Sequence, residues 1–197
     1  MTLDLLLALV AFAFVSSITP GPNNLMLMAS GANFGFRRTV PHMLGVGIGF
    51  VVMVMLVGVG IIALFDRFPM AYVVLKAVSV AYLLYLAWRI ATAAAPTAAK
   101  RAGKPFTFLQ AALFQWVNPK AWAMALTAIS IYAPTKSLGA VAIVAVVFGA
   151  VNLPSVSTRA FLGQKLQQVL STPSRLKVFN TTMALLLVAS LYPVLVS

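Results

Sequence analysis

Apolar residues occupy this chain in six long stretches, at residues 3–31, 40–64, 70–90, 106–132, 138–158 and 178–196. Each is close to or longer than the roughly 20 residues a helix needs to cross a bilayer. Polar residues do not recur along them at a fixed period, so length and flanks set the reading. The pattern predicts an all-α polytopic membrane protein with six transmembrane helices. Two of the six are interrupted by proline, at Thr19-Pro20-Gly21-Pro22-Asn23-Asn24 in the first and at Asn118-Pro119-Lys120 in the fourth. Proline has no N–H for the carbonyl four residues earlier. Pro20 therefore frees the carbonyl of Ser16, Pro22 that of Ile18 and Pro119 that of Gln115. Lipid offers no replacement, and irregular backbone persists at membrane depth only where protein buries it or a wet cavity borders it. The two interruptions mark the candidate site.

Loop charges predict the orientation. Arg37 and Arg38 follow the first stretch, Arg89, Lys100, Arg101 and Lys104 the third, and Arg159, Lys165, Arg175 and Lys177 lie between the fifth and sixth. The alternate loops carry Arg67 and Lys136, and both acids, Asp4 and Asp66, fall on that side. An excess of basic residues marks the cytoplasmic face, so both termini are expected outside the cytoplasm. The whole of residues 1–197 reads as a single membrane domain. The basic, Ala/Thr/Pro-rich segment at about 93–104 is expected to be a cytoplasmic linker. It separates two sets of three spans, about 1–92 and 105–197. Three is odd, so the halves must be inverted, and each begins with a helix broken near the midplane. That is the signature of an inverted-repeat transporter.

Composition narrows the classes. The chain of 197 residues is 62% hydrophobic and 8% charged, with a net charge of +12, against an average charged content of about 25% for soluble domains. The positive charge would suit nucleic acid, but it sits in short loops between apolar runs, where it orients a membrane protein, and no nucleic-acid partner is expected. With no cysteine, disulfides, thiolate metal sites and Cys nucleophiles are excluded. No P-loop pattern is present, and no cofactor or metal site is expected. The first stretch does not read as a cleavable signal peptide, because it lacks a basic start and carries Asp4.

Gly21-Pro22 and Asn118-Pro119 also read as helix starts, a cap followed by proline at the first position. Two half-helices would then begin near the midplane, and their positive ends would favour a carboxylate. Asn23, Asn24, Asn118 and Gln115 offer hydrogen bonds to a polar guest, and freed carbonyls would accept from an ammonium. The competing reading is two kinks satisfied by neighbouring helices with no ligand. Lys120 lies inside the fourth stretch with no intramembrane acid to pair with, at a cost of several kcal/mol on insertion scales, a contested figure. It is a candidate for the substrate carboxylate and for proton exchange, because desolvation favours its neutral form; the alternative is snorkelling to an interface. His42, the one histidine, is the other proton-coupling candidate, set against a packing role at the interface. Asn152 and Pro154 read as a third break, in the fifth stretch, facing the same cavity or making a structural hydrogen bond; Asn180 reads as a packing residue. Gly45 and Gly49 have GxxxG spacing, which supports close helix packing and is compatible with a homodimer. Tyr82, Tyr85 and Trp88 fit an interfacial belt.

These motifs resemble the LysE/RhtB family of bacterial amino-acid exporters. The match runs in order through Thr19–Asn24, Gly35-Phe36-Arg37-Arg38, Gly45/Gly49, Phe114-Gln115-Trp116-Val117-Asn118-Pro119-Lys120, Asn152-Leu153-Pro154-Ser155 and Asn180 through Leu187. The Pro-Gly-Pro-Asn-Asn form and Gly-Phe-Arg look most like the subgroup of cysteine and O-acetylserine exporters. The resemblance implies a bacterial inner-membrane protein with six spans. It would move amino acids or related metabolites outward, in exchange for protons, with both breaks lining the path. Arg159 departs from the pattern, standing where an aromatic is expected.

The sequence thus predicts a secondary transporter for small zwitterionic metabolites, acting on a small-molecule substrate and protons within the lipid bilayer. Its expected substrate-binding residues are Pro20, Gly21, Pro22, Asn23, Asn24, Gln115, Asn118, Pro119, Lys120 and Asn152. A passive channel or a membrane subunit of a larger complex is the alternative. An enzyme is not expected, since only a Ser–Lys pair is left as nucleophile and base, for instance Ser130 with Lys120, ten residues apart on one helix.

Overall fold

The computed structural model describes residues 1–60, 69–93, 104–135, 137–170 and 172–192. These form helices and no strands. The order is α1 (Leu3–Ile18), α2 (Pro22–Phe34), α3 (Phe36–Gly58), α4 (Pro69–Ala91), α5 (Phe108–Phe114) running into a 3₁₀ turn (Gln115–Val117), α6 (Pro119–Tyr132), α7 (Leu138–Val169) and α8 (Pro173–Ala189). Three helices are long and apolar enough to cross a bilayer alone, in α3, α4 and α7; α1 and α2 together make a fourth, bent by 54° at their break. Asp66, Arg67, Lys136, the linker's Lys100 and Arg101, and the last residues of the sixth stretch lie outside the described residues.

Local chemistry sets the ends. Thr2 caps α1 by accepting from the Leu5 N–H, and Ser137 caps α7 by accepting from Ala140. Thr107 and Gln110 form a capping box at α5, each side chain bonding the other's backbone N–H. Gly35 ends α2 and opens α3 at φ 82°, a left-handed conformation that glycine tolerates and side chains resist. One expectation is corrected: Asn152-Leu153-Pro154 is not a break. α7 runs unbroken through Pro154 to Val169, well past the expected end of the fifth stretch. A single proline removes one hydrogen bond, and a helix in lipid survives that when its neighbours support it. The first break has two prolines and a glycine, and the second has an asparagine cap, so those helices restart.

The apolar side chains pack into three clusters. The first joins α1, α3, α6 and α7 around Leu9, Phe50, Met53, Ala125 and Phe148. The second joins α2, α4, α5 and α8 around Leu25, Leu86, Phe114 and Leu187. The third, smaller, sits between α2, α3, α5 and α7 around Leu27, Val46 and Ala160. Outward faces carry large apolar side chains; Leu7, Phe14, Val146 and Leu185 are each more than half exposed. Such a surface suits lipid and not water.

The most extensive helix contacts are α2 with α7, α3 with α7, α3 with α5 and α4 with α8. Small residues permit them. A Cβ on Gly31 would lie 2.1 Å from the Ala160 carbonyl oxygen, and one on Gly163 would lie 2.1 Å from that of Met28. The GxxxG pair serves inside the chain too: a Cβ on Gly45 would meet the Phe108 carbonyl oxygen at 2.3 Å, and one on Gly49 the Ala112 Cα at 2.6 Å. Backbone cannot step aside as a flexible side chain can. Gly163→Val is therefore expected to destabilise the fold by about 1–3 kcal/mol through overpacking. Gly139→Ala, where nothing lies within 4 Å, is expected to leave it unchanged. Thermal unfolding of the detergent-solubilised variants reads the difference.

Candidate functional site

Both breaks are helix starts. Pro22 opens α2, with Gly21 as its N-cap in extended conformation; no side chain caps this end. Pro119 opens α6, and the Asn118 side chain caps it by accepting from the Lys120 N–H at 3.2 Å. The Asn118 carbonyl also accepts from Ala121 and Trp122. The two half-helix ends are thus unequal: α6 is closed by its own residues, and α2 carries the more open end.

The breaks meet. From the second, Lys120 reaches across and its Nζ donates to the Thr19 carbonyl at 2.5 Å. Gly21 makes room for that side chain, because a Cβ there would lie 2.6 Å from Lys120 Cδ. From α7, the Arg159 guanidinium donates to the Ile18 carbonyl at 2.5 Å, the group that Pro22 leaves without a helical donor. Asn24 Nδ2 donates to the carbonyls of Ser17 and Thr19 at 2.8 and 2.9 Å. Asn23 and Gln115 exchange amide hydrogen bonds of 2.8 and 3.3 Å, one in each direction. The Gln115 carbonyl, freed by Pro119, accepts from the Asn118 N–H at 3.3 Å. Two cations and three amides therefore hold together backbone that lipid would leave bare.

Between them lies a small cavity, bordered by Ser16, Ser17, Gly21, Asn23, Asn24, Asn118, Lys120 and Asn152, with Phe50, Ala121 and Met124 as apolar wall. Its volume is about 30 Å³, on the order of two water molecules by the measure that assigns about 10–15 Å³ to each. An amino acid fits only when the walls part. Ser17 borders it, and its hydroxyl is buried behind that wall without a hydrogen-bond partner among the described residues.

Most of the residues expected from the sequence converge here. Gly21, Asn23, Asn24, Asn118, Lys120 and Asn152 border the cavity. Pro20, Pro22, Gln115 and Pro119 are not on its wall: Pro22 and Pro119 open the two half-helices, Gln115 bonds Asn23, and Pro20 is exposed at the first break. His42 does not join them: it lies in a separate chamber, 2% exposed, its ring 5.2 Å from that of Phe106. It is buried and packed within the protein. Asn180 is buried and exchanges amide hydrogen bonds with Asn33, as a packing residue should. Ser130 is exposed on the continuous helix that starts beside Lys120, about 15 Å along it at 1.5 Å per residue.

Sequence reasoning missed Ser16, Ser17, Phe50 and the placement of Arg159. The signal for Arg159 was present: it follows Asn152 by seven residues, two helical turns, which sets both on one face of α7. The Asn23–Gln115 pair links the halves through an amide exchange, so a double-mutant cycle on Asn23→Ala and Gln115→Ala is expected to show coupling of about 0.5–3 kcal/mol. Thermal unfolding in detergent measures it, and additive losses would mean that the bond contributes nothing.

The chain matches the family model for the LysE type translocator over residues 14–190. It is 32% identical over 193 residues to the cysteine/O-acetylserine efflux protein of Escherichia coli (strain K12), covering 95% of this chain and 96% of that protein. The protein of the same name in Shigella sonnei (strain Ss046) shows the same identity and coverage. That of Escherichia coli O1:K1 / APEC is 33% identical over 196 residues, again covering 95% and 96%. No solved structure matches the chain. Helices built to span a membrane, helix breaks that share a polar cavity and these full-length matches agree: the chain belongs to the LysE type translocator family, and it is a membrane transport protein, not an enzyme.

Proposed function

We propose that this chain exports amino acids or related small zwitterions from the cytoplasm through the cavity at the paired breaks, as a secondary transporter of the bacterial inner membrane. The observation that carries the reading is the bond from Lys120 in one break to the Thr19 carbonyl in the other, across that cavity. The relatives named as cysteine/O-acetylserine efflux proteins support small zwitterions as the substrate class.

The chemistry is an exchange of partners. Lys120 and Arg159 now donate to the carbonyls of Thr19 and Ile18. A substrate carboxylate takes the two cations, and its ammonium takes the carbonyls they release. Charge-assisted bonds to a carboxylate are stronger than those to a neutral carbonyl, so the zwitterion drives the swap. The open start of α2 adds donor N–H groups on the carboxylate side. Asn23, Asn24, Asn118 and Asn152 then fix its orientation.

Six spans in two inverted repeats, about 1–92 and 105–197, rocking around this site, give alternating access. The order of elements supports it: each half runs through a half-helix, a break, a second half-helix, a long helix and a final helix. The contacts also pair corresponding elements, α3 with α7 and α4 with α8, and crosswise α1 with α7 and α3 with α5. Basic loops set both termini outside the cytoplasm. Proton antiport is the proposed coupling, with Lys120 the favoured carrier because it borders the cavity; His42 lies apart from it.

Reconstituted protein tests this. Counterflow of labelled O-acetyl-L-serine, accelerated by unlabelled substrate on the far side, is expected of a carrier; a passive pore shows no such acceleration. Lys120→Ala is expected to abolish counterflow with insertion and monodispersity intact. Arg159→Ala is expected to lower it roughly ten- to hundred-fold, the equivalent of a charge-assisted hydrogen bond of about 1.5–3 kcal/mol. Normal transport by a well-folded Lys120→Ala removes the cavity from the path. For the coupling, an imposed proton gradient is expected to accelerate substrate movement in the opposite direction, and indifference to the gradient excludes antiport.

A further inference from the structure

A second, larger chamber lies between α2, α4 and the start of α5, with a volume of about 340 Å³, within the roughly 300–1,000 Å³ range of small-molecule sites. The turns of α2 that follow the break form one wall through Ser30 and Asn33. Asn23 to Asn33 spans about 15 Å of helix at 1.5 Å per residue, so the chamber adjoins the same helix on the side of the basic loops. Its charged residues are Arg89 and Lys104, with no acid on its wall. Neither cation has a hydrogen-bond or ion-pair partner among the described residues. His42 also borders it, and both ring nitrogens are buried without a partner among the described residues. Ser30 and Asn33 are already engaged, by Thr39 and Asn180. The charge open to the chamber is therefore that of two exposed cations, and the His42 nitrogens lie sealed behind its wall. A buried imidazole always carries at least one N–H, and an unpartnered one gains a hydrogen bond when the side chains over it give way to a guest.

We propose that this chamber is a separate binding site for a small carboxylate-bearing molecule. Its carboxylate is held by Arg89 and Lys104, and a polar group further along it reaches His42 as the side chains covering the ring give way. The inference rests on the export reading for its ligand, the same zwitterion held on the cytoplasmic side before it moves along α2 to the breaks. Phe106, packed on His42, supplies the apolar side.

The experiment is equilibrium binding of labelled O-acetyl-L-serine to the purified chain in phosphatidylcholine nanodiscs. Two bound molecules per chain are expected. Arg89→Gln with Lys104→Gln is expected to leave one, its partner weakened roughly ten- to hundred-fold as for lost charge-assisted bonds. Lys120→Ala is expected to leave the other. His42→Phe keeps the bulk and removes the nitrogens, so it is expected to weaken the chamber site about ten-fold without harming the fold. A single site that Lys120→Ala removes, indifferent to the Arg89 and Lys104 changes, overturns the chamber and leaves the break cavity standing. A single site with the opposite response upholds the chamber and overturns the break cavity. Displacement of the chamber ligand by phosphatidylglycerol in the discs assigns the two cations to a lipid phosphate and overturns the proposal. No binding in the unaltered protein overturns both readings.

Discussion

Carbonyl groups at the broken first helix lose their helical donors to two prolines, and the architecture around the breaks supplies others. Three consecutive carbonyls, of Ser17, Ile18 and Thr19, are met by Asn24, Arg159, and Lys120 together with Asn24. These donors come from three helices, α2, α7 and α6. No one segment could close the break by itself, because its own N–H groups are missing at two prolines. The site is therefore an assembly of long-range partners around short-range defects. Its two cations are bonded to backbone carbonyls, so neither is left without a partner.

Close packing of α2 on α7 makes this assembly possible. Gly31 and Gly163 let the two backbones approach to distances at which a Cβ would collide with a carbonyl oxygen. That approach holds α7 beside α2, so that Asn152 borders the cavity and Arg159 reaches the break. The unbroken run of α7 through Pro154 keeps those two side chains in register. A real break at Pro154 would have uncoupled them.

Much of this was legible in the sequence, for identifiable reasons. The restarts at Pro22 and Pro119 follow from proline's missing N–H and the caps before them, which are purely local. Their meeting was inferred from repeat logic, and the bond of Lys120 to Thr19 gives that inference its physical form. Arg159 could not be placed by its own identity, because a basic residue near a helix end reads first as loop charge; only its spacing from Asn152 carries the information. Pro154 misled because one proline and one asparagine look alike whether a helix kinks or stops. The amide partners, Asn23 with Gln115 and Asn33 with Asn180, are separated by 92 and 147 residues. No local rule reaches across such distances.

The reciprocal amide exchange between Asn23 and Gln115 carries a consequence for tightness. In a carrier of this design, parting the halves while vacant would strip two hydrogen bonds in a medium of low polarity and return nothing, whereas a guest with its own donors and acceptors refunds the loss. The two breaks are therefore held together by amides that a polar guest could bond only by parting them.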